Sequence, residues 1–324
     1  MGFLGQLFGL ASKGSVVVTV DKPHYISGEV ITGSLQVDVL EPIECNEIVV
    51  IVKGKEKVAW TEHDTETRNG ETVNVRHKFE EGHEFFHQKL VLFNVQHHIS
   101  PGQYIYPFQY QLPPGLPGCY DNAHDDDVKA KIEYSIKGTL CIDGVFTRDL
   151  KHRQRLTVFA QLAGFVAPSV AEKTQTVRLL CCFNQGTCSL RVAMDKNMYG
   201  PGEVPMIQCD VHNLSSKDVT AMRCELVRSV EVRAMGRVRH LRKVLCGATF
   251  PGVPAGSQIS QPQPFQLTGN GLYPSTRSRN ISCSYAIDVV CDIPWCPDVE
   301  LHLPIALGAP VLVPVQAVQG YGSI

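Results

Sequence analysis

The sequence lacks an excess of charge of either sign, and it lacks several motifs that are typical of common enzyme classes. Its 324 residues include 30 Lys and Arg against 32 Asp and Glu, a formal net charge of -2. A near-neutral chain has no general attraction to nucleic acid or acidic membranes, so such binding requires local patches. Gly-x-Ser-x-Gly, Walker and dinucleotide-binding motifs are all missing. These absences predict a non-enzyme with no catalytic residues, no cofactor and no nucleic-acid partner.

No secretory signal and no membrane-spanning helix are predicted. The first ten residues are apolar without a positive charge, and the uncharged stretch 303–324 is interrupted by three prolines. Gly2 is followed by Gln6, where N-myristoylation prefers Ser or Thr, so we expect a packed or frayed arm. Insertion of its Phe and Leu side chains into a membrane interface is the alternative.

The 12 cysteines show no paired Cys-x-x-Cys spacing, which speaks against a zinc site. Zinc at Cys181, Cys182 and Cys188, or at Cys291 and Cys296, is the alternative, as are metal-binding interpretations of His97-His98 and of His124-Asp125-Asp126-Asp127. Without a signal peptide, the cysteines are expected to be reduced in a cytoplasmic protein. Half of them lie in apolar runs, where free Cys acts as a small hydrophobe: Cys45, Cys141, Cys209, Cys224, Cys246 and Cys283.

Two stretches that are 174 positions apart are copies of one another. The Asp-Lys pair, the Tyr and the Gly-Glu-Val of residues 21–30 recur without a gap at residues 195–204. Each copy lies between alternating apolar runs, which is typical of a turn joining two strands. The spacing fits a whole domain rather than a solenoid repeat. The sequence therefore predicts two related β-domains in tandem.

Hydrophobic residues alternate with period two almost throughout, and no long amphipathic helix is indicated. Tyr104, Tyr106, Phe108, Tyr110 and Leu112 are expected to share one buried face of a strand. The polar residues 62–82 are interpreted as an exposed hairpin loop. The predicted strands are 15–20, 29–39, 46–60, 84–93, 102–112, 128–142 and 153–160, then 174–182, 187–195, 204–213, 218–234, 237–250, 256–266, 280–291 and 298–307.

This pattern predicts an all-β fold of two tandem immunoglobulin-like antiparallel β-sandwiches, each with one wet and one buried sheet face. The expected divisions are an apolar arm, a first sandwich, a linker, a second sandwich and a tail, at 1–14, 15–162, 163–173, 174–308 and 309–324.

Four further motifs occur in order between residues 15 and 307. They are Tyr25-x-x-Gly28-Glu29-Val30-x-x-Gly33 with its copy at Tyr199–Val204, Gly54-x-x-x-Val58-x-Trp60, Tyr106-Pro107-Phe108-x-Tyr110-x-Leu112-Pro113-x-x-Leu116-Pro117 with Ile132-x-Tyr134-x-Ile136, and Cys181-Cys182 with Asn213-x-Ser215-Ser216.

Together these residues resemble the arrestin superfamily, specifically its arrestin-domain-containing (α-arrestin) branch. The resemblance implies an arrestin fold and a non-enzymatic adaptor for membrane-protein cargo. The family's Pro-Pro-x-Tyr motif, which recruits WW-domain ubiquitin ligases, does not occur here, so this mode of recruitment is not expected. Asp292 and Asp298 resemble the family's interdomain acidic loop, but the strand 156–160 lacks the opposing basic residue.

Two basic patches are candidate binding sites. Lys53, Lys55 and Lys57 alternate along one strand and are expected to bind phosphates, or else to be solvated charges that protect a sheet edge. The second patch is a hairpin around Gly236 whose arginines suit phosphate, carboxylate or an anionic lipid surface better than Lys does. Its basic residues are Arg228, Arg233, Arg237, Arg239, Arg242 and Lys243.

Three functions remain open on these residues. The first is a cytoplasmic adaptor in membrane-protein trafficking and endocytosis, which meets cytosolic tails or trafficking proteins at the plasma membrane or endosomes. The second is a constitutive scaffold subunit of a retromer-like sorting complex. The third is an enzyme with zinc or redox chemistry.

Overall fold

The computed structural model describes residues 13–68, 71–122, 127–142, 149–161, 166–180, 182–200, 203–268 and 272–308, with the backbone alone for 66–68 and 71–72. All regular secondary structure in these residues is β-strand. In chain order the strands are β1 (Gly14–Val20), β2 (Tyr25–Ile26), β3 (Val30–Val39), β4 (Ile43–Arg68), β5 (Glu71–Asn94), β6 (His98–Ile99), β7 (Gly102–Gln111), β8 (Tyr120–Asp121), β9 (Lys129–Ile142), β10 (Leu150–Leu156), β11 (Val158–Phe159), β12 (Ser169–Leu179), β13 (Phe183–Met194), β14 (Met198–Tyr199), β15 (Met206–Ser215), β16 (Val219–Ala234), β17 (Arg237–Val253), β18 (Gln258–Pro264), β19 (Thr276–Arg277), β20 (Ile281–Asp292) and β21 (Val299–Leu307).

The fold is all-β, with two tandem immunoglobulin-like antiparallel β-sandwiches, which confirms the predicted fold class. By its internal contacts the chain forms two compact units. The first unit comprises Met1–Gly164, Glu225–Gly247 and Gly269–Ala286, and the second comprises Phe165–Cys224, Ala248–Thr268 and Ile287–Ile324. None of the described residues belongs to a helix with the length and hydrophobicity needed to span a lipid bilayer.

The first sandwich stacks the sheet β1-β3-β7 on the sheet β10-β9-β4-β5. Alternation along β1 buries Val16 and Val18, because successive side chains of a strand point to opposite faces. The two sheets approach closely at Gly138 of β9, where an added Cβ would lie 2.0 Å from a methyl carbon of Leu35 on β3. A larger residue at position 138 therefore requires the buried Leu35 side chain to shift, and the core of this sandwich lies between β3 and β9.

In the second half, the sheet β12-β13-β15-β18 packs on β21 of the sheet β14-β21-β20-β16-β17. Four fully buried cysteines lie in this half: Cys188, Cys209, Cys224 and Cys291. A hydrogen bond with Cys209, together with burial, raises the pKa of the Cys224 thiol, and burial raises the pKa of Cys291. All four are reduced thiols that fill the core as small apolar groups.

The repeated segments form the same turn in each half. Tyr25 Oη donates a hydrogen bond to Asp21 Oδ1 over 2.5 Å, and Tyr199 Oη donates one to Asp195 Oδ1 over 3.0 Å. The two-residue strand that contains each Tyr pairs in parallel with a strand near the end of its half, β2 with β11 and β14 with β21. In the first copy, Gly28 adopts φ of 88°, a conformation that favours glycine. The sequence repeat is thus a structural repeat.

Every predicted strand overlaps an observed one, but one interpretation was wrong. Residues 62–82 are largely strand rather than loop, because β4 continues to Arg68 and β5 begins at Glu71 with an unbroken cross-strand register. β12 begins at Ser169, inside the range expected to be the linker, and the boundaries of the domains stay predictions. The arm before Lys13 and the tail after Gly308 lie outside the described residues.

The face shared by the large side chains of β7 is only partly buried. Phe108 and Leu112 are buried as expected, but Tyr104, Tyr106 and Tyr110 are half-buried. The reason is that, among the described strands, β7 is the last of its sheet and has a neighbour on one side only.

Candidate interaction surfaces

The lysine stripe consists of Lys53, Lys55 and Lys57, on one face of β4. Each lysine forms an ion pair with a carboxylate of a neighbouring strand: Lys53 with Glu84 of β5, Lys55 with Glu133 of β9 at 3.0 Å, and Lys57 with Glu80 of β5. The pKa of Glu80 falls to about 2 because Lys57 and Lys78 both bind it. The stripe is therefore a charge-balanced surface rather than a row of free cations.

A cavity of about 420 Å³ lies beside this stripe, and its lining has a small excess of positive charge. Of the lysines that line it, Lys131 pairs with Asp121 and Glu133. Lys129 forms no ion pair with any described residue. Its charged lining residues are Lys55, Lys57, Lys78, Lys129, Lys131, Glu80, Asp121 and Glu133. The cavity can accept a small anion mainly through Lys129.

The arginine hairpin is the turn between β16 and β17 with Arg237, Arg239 and Arg242 on β17. Met235 and Gly236 both have positive φ, 51° and 76°, and form the tight turn. Arg237 and Arg242 are exposed and Arg239 is half-exposed. Arg237 and Arg239 form no hydrogen bond or ion pair with any residue that the structure describes. Their guanidinium groups are therefore available to an external anion.

Glu81 of β5 holds this hairpin in place within the first unit. Its Oε2 accepts a hydrogen bond from the backbone N–H of Met235 over 2.9 Å, and its Oε1 lies 3.4 Å from Arg279. The Met235 N–H, and then other donors nearby, hold the pKa of Glu81 below its usual value. The turn is fixed by its backbone, which leaves the side chains of Arg237 and Arg239 without a partner among the residues that the structure describes.

Two of the basic residues predicted for this hairpin do not contribute to a free patch. Arg228 is buried, and its guanidinium lies 5.9 Å from the centre of the Tyr120 ring, as in a cation–π contact. Arg233 forms an ion pair with Glu231. The expectation of one continuous patch was therefore wrong for Arg228, because its position on β16 faces the core.

The acidic loop residues Asp292 and Asp298 have local partners within the second unit. Asp292 accepts two hydrogen bonds from Arg223, 2.8 Å from Nε and 2.7 Å from Nη2. Asp298 Oδ1 accepts one from the backbone N–H of Ile293 over 3.0 Å. Both carboxylates therefore have hydrogen-bond partners nearby in the same unit. In this position the two residues stabilise the turn.

The same turn carries the most exposed aromatic side chain that the structure describes. Trp295 is 81% exposed with φ of 63°, and its carbonyl accepts a hydrogen bond from Leu180 N over 3.3 Å. Leu180 and Phe183 are 65% and 62% exposed. The sequence shows a Trp at position 295. Its exposure could not be predicted, because it depends on the geometry of the turn.

A buried carboxyl, which the sequence analysis missed, lies on β4 among the lysines of the stripe. Glu56 is 2% exposed, and its Oε2 accepts a hydrogen bond from Ser278 Oγ. Its Oε1 and the Oδ1 of buried Asn280 have no partner in the described part of the chain. Burial raises the pKa of Glu56 above its ordinary value, because it disfavours the charged form of the carboxyl.

His83, Glu84 and His87 match the His-Glu-x-x-His pattern but lie on strand β5, whereas that pattern binds zinc from one face of a helix. In the described ranges, no group of three or more His, Cys, Asp or Glu side chains is arranged to hold a metal ion. Cys182 is exposed whereas Cys188 is buried, and His97 lies in a turn with φ of 72°. Cys181 and residues 124–126 lie outside the described residues.

Two family models match the chain in tandem. Residues 16–163 match the N-terminal domain of arrestin (or S-antigen), and residues 184–312 match its C-terminal domain. Both copies of the repeated turn lie inside these matches, one in each.

Several curated proteins are similar along most of the chain. Arrestin domain-containing protein A of Dictyostelium discoideum is 27% identical over 305 residues, which cover 92% of this chain and 52% of the relative. Arrestin domain-containing protein 17 of Caenorhabditis elegans is 24% identical, over 92% of this chain and 72% of the relative. Arrestin domain-containing protein 4 of Homo sapiens is 22% identical, over 92% and 71%.

The chain thus spans about half the length of the Dictyostelium relative. Two sandwiches, the duplicated turn and the two matched domains agree with one another in position and order. The chain belongs to the arrestin family, as an arrestin-domain-containing (α-arrestin) protein.

Proposed function

We propose that this chain is a non-enzymatic cytoplasmic adaptor in membrane-protein trafficking and endocytosis, which binds acidic or phosphorylated cytosolic tails through the arginine hairpin. One observation carries the proposal. Of the cations in the two predicted patches, Arg237 and Arg239 are the ones that have no partner among the described residues. The family membership supports an adaptor role. Recruitment to the plasma membrane or endosomes would follow from the cargo.

The chemistry of the hairpin suits such a ligand. Arg237 and Arg239 lie two residues apart on β17, so their side chains share a face about 7 Å apart. A guanidinium donates two parallel hydrogen bonds to a carboxylate or a phosphate, and charged hydrogen bonds of this kind are short and strong. A tail with acidic or phosphorylated residues at alternate positions matches this spacing when it is extended.

The lysine stripe offers a matched comparison within the same chain. A tail that binds there must first displace the carboxylates of Glu80, Glu84 and Glu133 from their lysines. The arginine hairpin requires no such exchange at Arg237 and Arg239. We therefore expect the hairpin to carry most of the binding.

The test is a binding assay on membrane-protein cytosolic tail peptides, unmodified and serine-phosphorylated, at low and high salt. Arg237→Gln with Arg239→Gln should weaken binding about tenfold or more, since each charged hydrogen bond contributes about 1.5–3 kcal/mol. The control is Lys53→Gln with Lys57→Gln. It should change binding less than about twofold, because these lysines are already paired with carboxylates of the same chain. Equal binding by the arginine variant and the unmodified chain would remove the hairpin from the mechanism.

A second candidate is a constitutive scaffold subunit of a retromer-like sorting complex, and the exposed apolar patch of Leu180, Phe183 and Trp295 favours it. Large exposed apolar groups mark protein interfaces more often than free surface. This function predicts that the chain co-elutes with partner subunits in gel filtration of native extract, and that Trp295→Ser abolishes the co-elution. Elution as a free monomer before any stimulation would contradict it.

A further inference from the structure

The outer part of β4 has an edge that no described strand covers. On one side, β5 pairs with β4 from Glu47 to Arg68. On the other side, β9 pairs with β4 only as far as Ala59, which lies opposite Lys129. From Trp60 onward, the backbone N–H and C=O groups that point away from β5 therefore have no strand to pair with in the described part of the chain. Such an edge is a template for one further strand.

A cavity lies where β9 stops short of this edge. Its volume is about 760 Å³, within the range of about 300–1,000 Å³ that is typical of ligand clefts. We call it the edge groove, and three strands line it, with Thr61 and His63 from β4, Arg76 and Lys78 from β5, and Lys129 from β9. It shares Lys78 and Lys129 with the cavity of about 420 Å³ beside the lysine stripe, so the space continues along β4 in both directions.

The charges of the edge groove favour an anionic partner. The guanidinium of Arg76 and the ammonium of Lys129 are exposed, and neither forms a hydrogen bond or ion pair with any residue that the structure describes. Lys78 is bound to Glu80. Asp127 supplies the one carboxylate of the described lining. The groove therefore presents two unpaired cations and an excess of positive charge.

The two unpaired cations lie on either side of the free edge. Lys129 is opposite Ala59, and Arg76 is opposite His63, four residues farther along β4. Four residues of a strand span about 13 Å, and two strand spacings separate β5 from the line of β9 by about 10 Å. A segment that pairs with Thr61 and His63 therefore lies between the two cations. Since alternate side chains of a strand share a face, two acidic residues at alternate positions reach one cation each.

We propose that the edge groove binds an extended acidic segment of a partner protein as an added strand, in line with β9 and antiparallel to β4, with its carboxylates held by Lys129 and Arg76. Backbone bonds to β4 provide affinity, and the two cations select the charge. The opposite face of β4 carries Glu62 and Asp64, so carboxylates are favoured at alternate positions only. This inference is independent of the arginine hairpin and goes beyond the proposed function.

The first experiment measures binding of the synthetic peptide acetyl-Thr-Val-Glu-Val-Glu-Val-Thr-amide to the full chain by calorimetry. Arg76→Gln with Lys129→Gln should weaken binding by about fivefold or more, because two charge pairs are lost. Lys78→Gln is the matched control, since Lys78 lines the same groove but already binds Glu80, and it should change binding less than about twofold. Equal binding by the double variant and the unmodified chain would overturn the proposal.

Two further controls separate this site from other modes of binding. Arg237→Gln with Arg239→Gln should leave the affinity for the peptide unchanged, and a loss there would move the peptide to the arginine hairpin. The same peptide with N-methyl groups on alternate backbone amides keeps its charge but cannot pair with a strand edge. It should bind about tenfold more weakly or not at all, because the backbone bonds are lost. Equal binding by the methylated peptide would show attraction by charge alone, against strand addition.

Amide hydrogen exchange locates the added strand. In the free chain, the amides of residues 60–64 that face the edge should exchange faster than those of residues 48–52, which β5 and β9 flank on both sides. The peptide at about ten times its Kd should slow the edge amides by about tenfold. Protection of these amides before the peptide is added would show that the edge is already occupied and would contradict the proposal. Protection that grows with the concentration of the chain alone would assign the edge to a second copy instead.

Discussion

The two copies of the repeated turn share a hydrogen-bond network and differ in how it is anchored. In both, the Tyr hydroxyl binds the Asp, and the Glu accepts a hydrogen bond from the backbone N–H three residues before it, at Ile26 and at Gly200. The first copy pairs with the two-residue strand β11, whereas the second pairs with the nine-residue strand β21. The comparison shows that the repeated residues specify the turn. The strand with which each turn pairs determines how firmly it is held in its sheet.

The largest effect is expected from removing the Tyr side chain. Tyr25 and Tyr199 are 1% and 3% exposed, so truncation to Ala leaves a cavity in each half. Tyr25→Ala and Tyr199→Ala should each lower the free energy of unfolding by about 3–5 kcal/mol. Urea unfolding measures the loss, and amide exchange should locate it at β1–β3 for Tyr25 and at β21 for Tyr199. The half-exposed Tyr104 is the control, and a loss as large for Tyr104→Ala would deny the turns a special role.

The repeated turns and their flanking strands could be predicted because they depend on residues that are close together in the sequence. The period-two alternation of β1, β3, β15 and β21 and the spacing of Asp, Tyr and Gly-Glu depend on neighbouring residues only, so the sequence alone indicated strands, turns and duplication. The fold class followed from these elements without any knowledge of which strands pair.

Contacts between distant strands were not predictable in the same way. The partners of the lysine stripe are on β5 and β9, and bulges between Ile48 and Val49 and between Gly54 and Lys55 set which residues face each other. Nothing in the local pattern locates such bulges. The extended hairpin of β4 and β5 was missed because a polar hairpin outside the core has no apolar alternation. The burial of Arg228 was missed because nothing in the local sequence distinguishes a buried Arg from an exposed one.

The next effect contrasts the buried carboxyls of the two units. Glu56 in the first unit has a partner for only one oxygen, whereas Asp288 in the second, 1% exposed, lies 2.6 Å from Nδ1 of His302. Glu56→Gln should raise the free energy of unfolding at pH 7 by about 1–2 kcal/mol, because it removes a poorly solvated charge. Asp288→Asn is the matched substitution and should be destabilising.

The pH dependence of Glu56 has a defined sign. Its folded-state pKa lies above the ordinary value of 4.5, so between these two values the folded chain binds more protons than the unfolded chain. The stability of the unmodified protein from this group therefore falls as the pH rises through that window. The advantage of Glu56→Gln should be largest near neutral pH and vanish below about pH 4.5, as measured by urea unfolding at both values. A Gln variant that is less stable at pH 7 would show that the carboxylate is favourably held.

A smaller effect tests the hydroxyl groups of the two turns. Tyr25→Phe and Tyr199→Phe keep the packed ring and remove the hydrogen bonds of the hydroxyl, to Asp21 and from the Lys22 N–H in the first copy and to Asp195 and the Lys196 carbonyl in the second, at a cost of about 1 kcal/mol each. The first substitution should also move the pKa of Asp21 upward, because the Tyr25 hydroxyl is the main group that lowers it. Carboxyl titration by NMR measures this change. No movement at Asp21 would mean that the backbone N–H of Thr32, its other donor, dominates.

The smallest effect separates the Lys–Glu pairs of the two copies. Lys196 and Glu203 lie 2.7 Å apart with Lys196 29% exposed, whereas Lys22 and Glu29 lie 3.5 Å apart with Lys22 46% exposed. A double-mutant cycle with Lys→Met and Glu→Gln should give a coupling energy of about 0.5–1 kcal/mol in the second copy and below about 0.5 kcal/mol in the first. Lys196→Met should also raise the pKa of Glu203, since Lys196 is the main group that lowers it. Equal coupling energies would show that the shared backbone bonds to the Glu, rather than the lysines, hold both turns together.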